Sequence, residues 1–193
     1  MRRSSIVALC ALALAPLAAC GGNADNTDPA AEAAAPASAA TLGQAIGDTA
    51  GMATIAAALK SSGLATVFDG AAPYTVLAPT DDAFGKLGDA GSQLRAPENS
   101  AALTAVLRDH ILPGYLVPQD IEAALVRSDG KPVKLTTLGT GEVSFARDGS
   151  AISVTAADGT VGRIDGKALT ARNGVAIPVD TVLKKLPDAA PAG

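Results

Sequence analysis

The stretch Tyr74-Thr75-Val76-Leu77-Ala78-Pro79-Thr80-Asp81-Asp82-Ala83-Phe84 decides how the chain is organised. Tyr74 to Ala78 is a short β-prone run of mostly apolar residues. Pro79 closes it, and Thr80 or Asp81 supplies an N-cap, with carboxylates in a first turn where the helix dipole favours negative charge. The segment therefore reads strand, cap, helix. Thr80 and Asp81, with Asp82, are also a candidate cation or partner site, although capping is the simpler role for them.

Upstream, Met52, Ile55, Ala56, Leu59 and Leu64 recur at helical spacing, and Gly63 after Ser61-Ser62 is a stop signal. Downstream, a helix from about Asn99 to Arg108 presents Leu103, Val106 and Leu107. Another begins after Pro118 and presents Ile121, Ala124 and Leu125. The pattern then changes. Five Asx-Gly dipeptides, at 129–130, 148–149, 158–159, 165–166 and 173–174, are tight-turn signals because Gly tolerates positive φ. They punctuate strands expected at Val133–Leu138, Val143–Arg147, Ile152–Ala156 and Val175–Val179. Helices first and strands later predict an α+β domain over 41–187, not a parallel βαβ sheet. On this reading Asn173 and Gly174 serve a turn.

The chain begins with Arg2-Arg3, an apolar run from Ile6 to Leu17, and Leu17-Ala18-Ala19-Cys20. This is the pattern of a secretory signal peptide over 1–19. The apolar run is short for a membrane span, and Gly21-Gly22-Asn23 follows at once. Leu-Ala-Ala-Cys resembles the lipobox of bacterial lipoproteins, which implies cleavage before Cys20 and acylation of that residue. Cys10 would leave with the signal, so lipidation accounts for the single remaining Cys and no disulfide is available. Acyl chains worth about 0.8 kcal/mol per buried methylene make a stable anchor when two or three are present. From Gly21 to Ala40 no aliphatic residue exceeds Ala, so 20–40 reads as lipidated Cys plus flexible linker, and 188–193 as a disordered tail. Gly21, not Asp, after the Cys predicts outer-membrane sorting by resemblance to Gram-negative lipoproteins. The expected location is the cell envelope, lipid-anchored, at the outer membrane or facing the periplasm.

Of 193 residues, 48% are hydrophobic but only 3% aromatic, so the core is aliphatic and a base-stacking platform is excluded. Removing the signal takes the 15 basic residues to 13 against 19 acidic ones, about −6. That balance repels nucleic acid and anionic surfaces.

Three segments together carry a resemblance to the fasciclin family. Tyr74–Phe84 looks like its first signature. Asn173-Gly174-Val175-Ala176-Ile177-Pro178-Val179-Asp180-Thr181-Val182-Leu183 looks like its second. Leu107-Arg108-Asp109-His110-Ile111-Leu112-Pro113-Gly114 resembles its central Tyr-His segment. Asp109 stands where the family often has Tyr, and no His lies near Ile177. The resemblance implies a compact fold with helices packed on a β wedge, and a role in adhesion or protein–protein binding without catalysis.

The remaining motifs point the same way. His110 is the only His, with no Gly-x-Ser-x-Gly elbow to make a triad and no partner ligands for a metal, so it is expected to be structural. The Asp148 and Asp158 loops lack the oxygen run and closing Glu of a calcium loop, and Gly139-Thr140-Gly141 is not followed by a helix. Lys184-Lys185 reads as a solvated end. The candidate structural or binding residues are thus Thr80, Asp81, His110, Asn173, Gly174 and Asp180, with Cys20 for lipidation, and no catalytic residue, metal or cofactor is expected. The expected partners are the bilayer, through Cys20, and a protein or extracellular-matrix component. A periplasmic carrier of a small apolar ligand and an envelope hydrolase are the alternatives.

Overall fold

The computed structural model describes residues 39–186. The signal peptide, Cys20, nearly all of the linker and the tail lie outside these residues. The described residues open with helices α1 (Leu42–Gly47) and α2 (Ala53–Ser61), the second ended by Gly63 at φ 74° before a 3-10 turn over Leu64–Asp69. Strand β1 (Tyr74–Pro79) leads into α3 (Asp81–Gly85), α4 (Gly88–Leu94) and α5 (Ser100–Asp109). Strand β2 (Ile111–Pro113) and α6 (Pro118–Arg127) follow. Then come β3 (Val133–Thr136), β4 (Glu142–Asp148), β5 (Ala151–Ala156), β6 (Val161–Arg163), β7 (Leu169–Ala171) and β8 (Gly174–Val179).

Two four-stranded sheets result, ordered β2-β1-β8-β7 and β3-β4-β5-β6. The fold is α+β, as the sequence pattern predicts, with one parallel pair. β1 and β8 run parallel from Tyr74↔Gly174 to Pro79↔Val179, and the other pairings are antiparallel. Both strands are covered on two faces, which is why they read as near-continuous apolar runs instead of alternating ones. Val76, Ala78 and Ala176 face a core built with α1, α2 and α5. Leu77, Val175, Ile177 and Val179 face a second core with α6 and the inner side of the other sheet, Val143, Phe145, Ile152 and Val154. The first sheet is thus the middle layer of three.

β3 stops at Thr136, short of the expected Leu138, because the Leu138 N–H turns to the Ile111 carbonyl at 2.8 Å. A larger difference concerns Gly174. The glycines of the other four Asx-Gly pairs have positive φ, but Gly174 does not. Gly174 is the first residue of β8, and a Cβ there would run into the Tyr74 carbonyl oxygen and stand 2.7 Å from Leu42 Cδ2. Asn173 is buried and bonds across the fold. Its Oδ1 accepts from Leu42 N at 2.8 Å, and its Nδ2 donates to the carbonyls of Phe68 (2.6 Å) and Gly70 (2.7 Å). The partners fix the amide orientation, since carbonyls only accept. Asn173 does sit in the tight two-residue turn, Arg172-Asn173, that joins β7 to β8, and the pair adds to that turn a close packing and a three-way tie.

Gly174→Ala is expected to cost about 2–3 kcal/mol through overpacking, and Asn173→Ala about 3–4 kcal/mol through three lost bonds, two of them buried. Urea unfolding of both variants checks this; a loss under about 1 kcal/mol at Asn173 would contradict the tie.

Candidate functional site

Thr80 and Asp81 sit where β1 delivers the chain to α3. The Thr80 hydroxyl accepts from Ala83 N at 3.2 Å, capping α3. Asp81 caps a different helix. Its carboxylate accepts from Thr54 N at 2.7 Å and Ala53 N at 3.3 Å, the free donors at the start of α2. The Thr54 N–H bond is the main reason its carboxyl is held below the ordinary value. These two residues also line an open groove of about 320 Å³ with Thr49–Met52, Asp82, Asp165, Lys167, Leu169 and Pro178. Met52, Leu169 and Pro178 give it an apolar floor. Asp82, Asp165 and Lys167 are exposed at its rim. Sequence reading found Asp82 but not Asp165 or Lys167, which reach the groove only because β8 lies beside β1.

The other candidates are elsewhere. Asp180 follows β8, and its Oδ1 accepts from Arg163 N at 2.8 Å and from the Thr181 hydroxyl. Asn173 and Gly174 lie at the opposite end of β8 from the groove. Lys184 pairs with Asp109 at 3.4 Å and is only half-exposed, so the expected solvated end is partly folded back.

His110 is 1% exposed. It caps the C-terminal end of α5, and Nδ1 lies 2.8 Å from the Val106 carbonyl, which can only accept. The proton is therefore on Nδ1, and Nε2 accepts from Leu183 N at 2.8 Å. The ring is held neutral, with both nitrogens engaged and neither available to a substrate. Burial pushes its pKa below the ordinary 6.5, against the opposing pull of the Val106 carbonyl and Asp109. Among the described residues no group of three or more His, Cys, Asp or Glu is placed to hold a metal, and no buried side-chain polar atom lacks a hydrogen-bond partner.

These bonds set the acid response. Below about pH 6.5 the unfolded chain takes up a proton that the native imidazole refuses. Stability is therefore level above that point and falls on acidification, by up to about 1.4 kcal/mol per pH unit, until the native ring protonates. Burial is the largest single influence on Asp158 and Asp180 and would raise both, but the bonds from Lys185 and Thr160 on the first and from Arg163 and Thr181 on the second, together with nearby Lys184, Lys86 and Arg163 charges, outweigh it and hold both below the ordinary 3.8. Their contribution is present at neutral pH and lost only as the pH drops below about 3.8. Urea unfolding between pH 7 and 5 should show the His110 slope in the natural protein and none in His110→Gln. At pH 7, His110→Ala should cost about 3 kcal/mol, by leaving Leu183 N–H and the Val106 carbonyl unpaired, and Thr80→Ala about 1 kcal/mol. A flat profile in the natural protein would contradict the neutral-ring account.

Comparison with known proteins gives matches of three kinds. Residues 50–185 match the family model described as Fasciclin domain. The Synechocystis sp. (strain ATCC 27184 / PCC 6803 / Kazusa) protein sll1483 is 36% identical over 77 residues, covering 39% of this chain and 42% of that protein. The FAS1 domain pair of the insect cell adhesion molecule fasciclin I superposes with a TM-score of 0.66 at 15% identity, over 77% of this chain and 52% of that one. The chain therefore spans about half the length of the domain pair and less than half of the cyanobacterial relative. With the family model matching well over half of its length, this chain belongs to the fasciclin domain family.

Proposed function

We propose that the chain is a lipid-anchored envelope protein whose fasciclin domain binds a protein or matrix partner, in an adhesion-like role without catalysis. The observation that carries the reading is the disposition of polar groups. His110, Asn173 and Asp81, the side chains that look chemically capable in the sequence, are all engaged in hydrogen bonds that hold the fold. What faces solvent is an open groove with an apolar floor and a charged rim. Its volume is at the low end for small-molecule sites, and its mixed lining suits a shallow protein contact more than an enclosed carrier pocket. The adhesion role of the insect fasciclin I supports the same class of function. Anchoring rests on the lipobox-like Leu17–Cys20, and outer-membrane sorting on Gly21.

Three measurements test this. Mass spectrometry of the mature N-terminus should find an acylated Cys20, and Cys20→Ser should leave precursor or unanchored protein; an unmodified Cys20 in the natural chain would refute anchoring. Fractionation that found the protein only in inner membranes would refute the sorting. For the groove, a photo-crosslinking residue placed at Ala50 or Asp165 in intact cells should capture a discrete protein partner, whereas one at exposed Lys60 should not. Asp82→Asn with Asp165→Asn should reduce that capture at least about tenfold while leaving stability within about 0.5 kcal/mol. Equal capture at all positions would refute the groove as the contact.

A further inference from the structure

After β8 the chain continues as a short strap, residues 181–186, that joins neither sheet. Its backbone donors reach other parts of the fold only through titratable side chains. Leu183 N–H goes to His110 Nε2 at 2.8 Å, and Lys185 N–H goes to Asp158 Oδ2 at 2.7 Å. The Lys184 ammonium adds the Asp109 contact at 3.4 Å. Leu183 is buried and helps close a narrow crevice whose other walls include Thr137, Val143 and Ala156. No strand ladder holds the strap if these acceptors fail.

We propose that residues 181–186 form an acid-released latch: when His110 takes a proton, Leu183 N–H loses its acceptor and the strap comes away while both sheets stay folded. Nε2 is the only ring atom free to take that proton, because Nδ1 already carries one toward Val106. Protonation puts an N–H against the Leu183 N–H, two donors with no acceptor between them. The charged groups acting on the ring are Asp109 at the end of α5, Lys184 on the strap and Asp158 in the β5–β6 turn. β1, β2 and the 137–141 loop carry no charge. Once the strap and its Lys184 leave, the imidazolium keeps Asp109 and Asp158 as neighbours, which favours the released state. Asp158 stays ionised throughout this window, so the Lys185 tether outlasts the Leu183 one. Release bares Val143 and Ala156 at the crevice.

Amide hydrogen exchange on the full mature chain, corrected for intrinsic rates, tests the latch. Between pH 7 and 5, Leu183 protection should start below that of Val76 and Val175, whose exchange follows global unfolding, fall by about tenfold per pH unit once release begins, and vanish while the paired strands remain protected. Lys185 should lose protection at lower pH than Leu183. His110→Gln, whose amide can donate to Val106 and accept from Leu183 without titrating, should abolish the Leu183 step. Leu183 protection equal to that of Val76 at every pH would overturn the proposal, as would an unchanged step in His110→Gln. Should that variant fail to fold, the natural chain still decides. The ring Cε1 resonance of His110 must titrate with the same midpoint as Leu183 protection, and separate midpoints would overturn the latch.

Discussion

The ladder between β1 and β8 is the constraint on which the rest depends. It joins Tyr74–Pro79 to Gly174–Val179, a hundred residues apart, in parallel and without offset. Closing so long a loop costs conformational entropy before any contact rewards it. The offsetting gain comes from two strands buried on both faces, so that one ladder serves as floor for the helical core and for the core shared with the second sheet. The start of the ladder must then be fitted closely. Gly174 lets the backbone of β8 approach Tyr74, and Asn173 ties the α1 entrance and the Phe68–Gly70 segment to the same point. A slip of one residue would turn Leu77 and Ile177 away from the core they fill.

Much of this was legible in the sequence because local rules and tertiary demands agree. The Tyr74–Ala78 run, the Thr80 cap, the helix opened by Pro118 and the strands around Asp148-Gly149 each announce themselves within a few residues. What was not legible is set at a distance. β2, β6 and β7 have three residues each, too few for alternation to register. The parallel pairing of β1 with β8 has no local signature, since helices and a whole second sheet intervene. Asn173 does stand in the turn between β7 and β8, but its ties to Leu42, Phe68 and Gly70 have no local signature. For the candidate site, the residue types were visible but not their grouping. Asp81 reads as an alternative cap for the helix that follows it, but the helix it caps lies earlier in the chain. Asp165 and Lys167 join the groove only through the register of the ladder.

The far end of the same middle sheet shows how side chains substitute for strand pairing. β8 runs out at Val179, and the next buried residues, Val182 and Leu183, need their backbone polar groups satisfied in a place where no strand lies alongside. His110, at the end of α5, supplies the acceptor. The Nδ1–H bond to Val106 fixes the tautomer, which leaves Nε2 as acceptor, and the acceptor in turn fixes where Leu183 sits. One ring thus converts the geometry of a helix end into the position of the last buried residues among those described.

Asp109 makes sense in that setting. It stands where the family often has Tyr, and its carboxylate lies so close to Gly139 that a Cβ there would collide with it. Gly139 N–H bonds the Arg108 carbonyl at 3.0 Å, bringing the 137–141 loop hard against the end of α5. A small acidic side chain and a missing Cβ fill the space between them. On its open side the same carboxylate meets Lys184, a half-exposed pair that adds little stability by itself. Its effect is directional, since it draws the strap toward the helix end at the point where His110 receives Leu183. An aromatic side chain at 109 would need room that the Gly139 backbone now occupies, and it would offer Lys184 no formal charge. Exchange of Asp109 for Tyr is therefore coupled to the loop and to the strap, and tolerating it requires all three to change together.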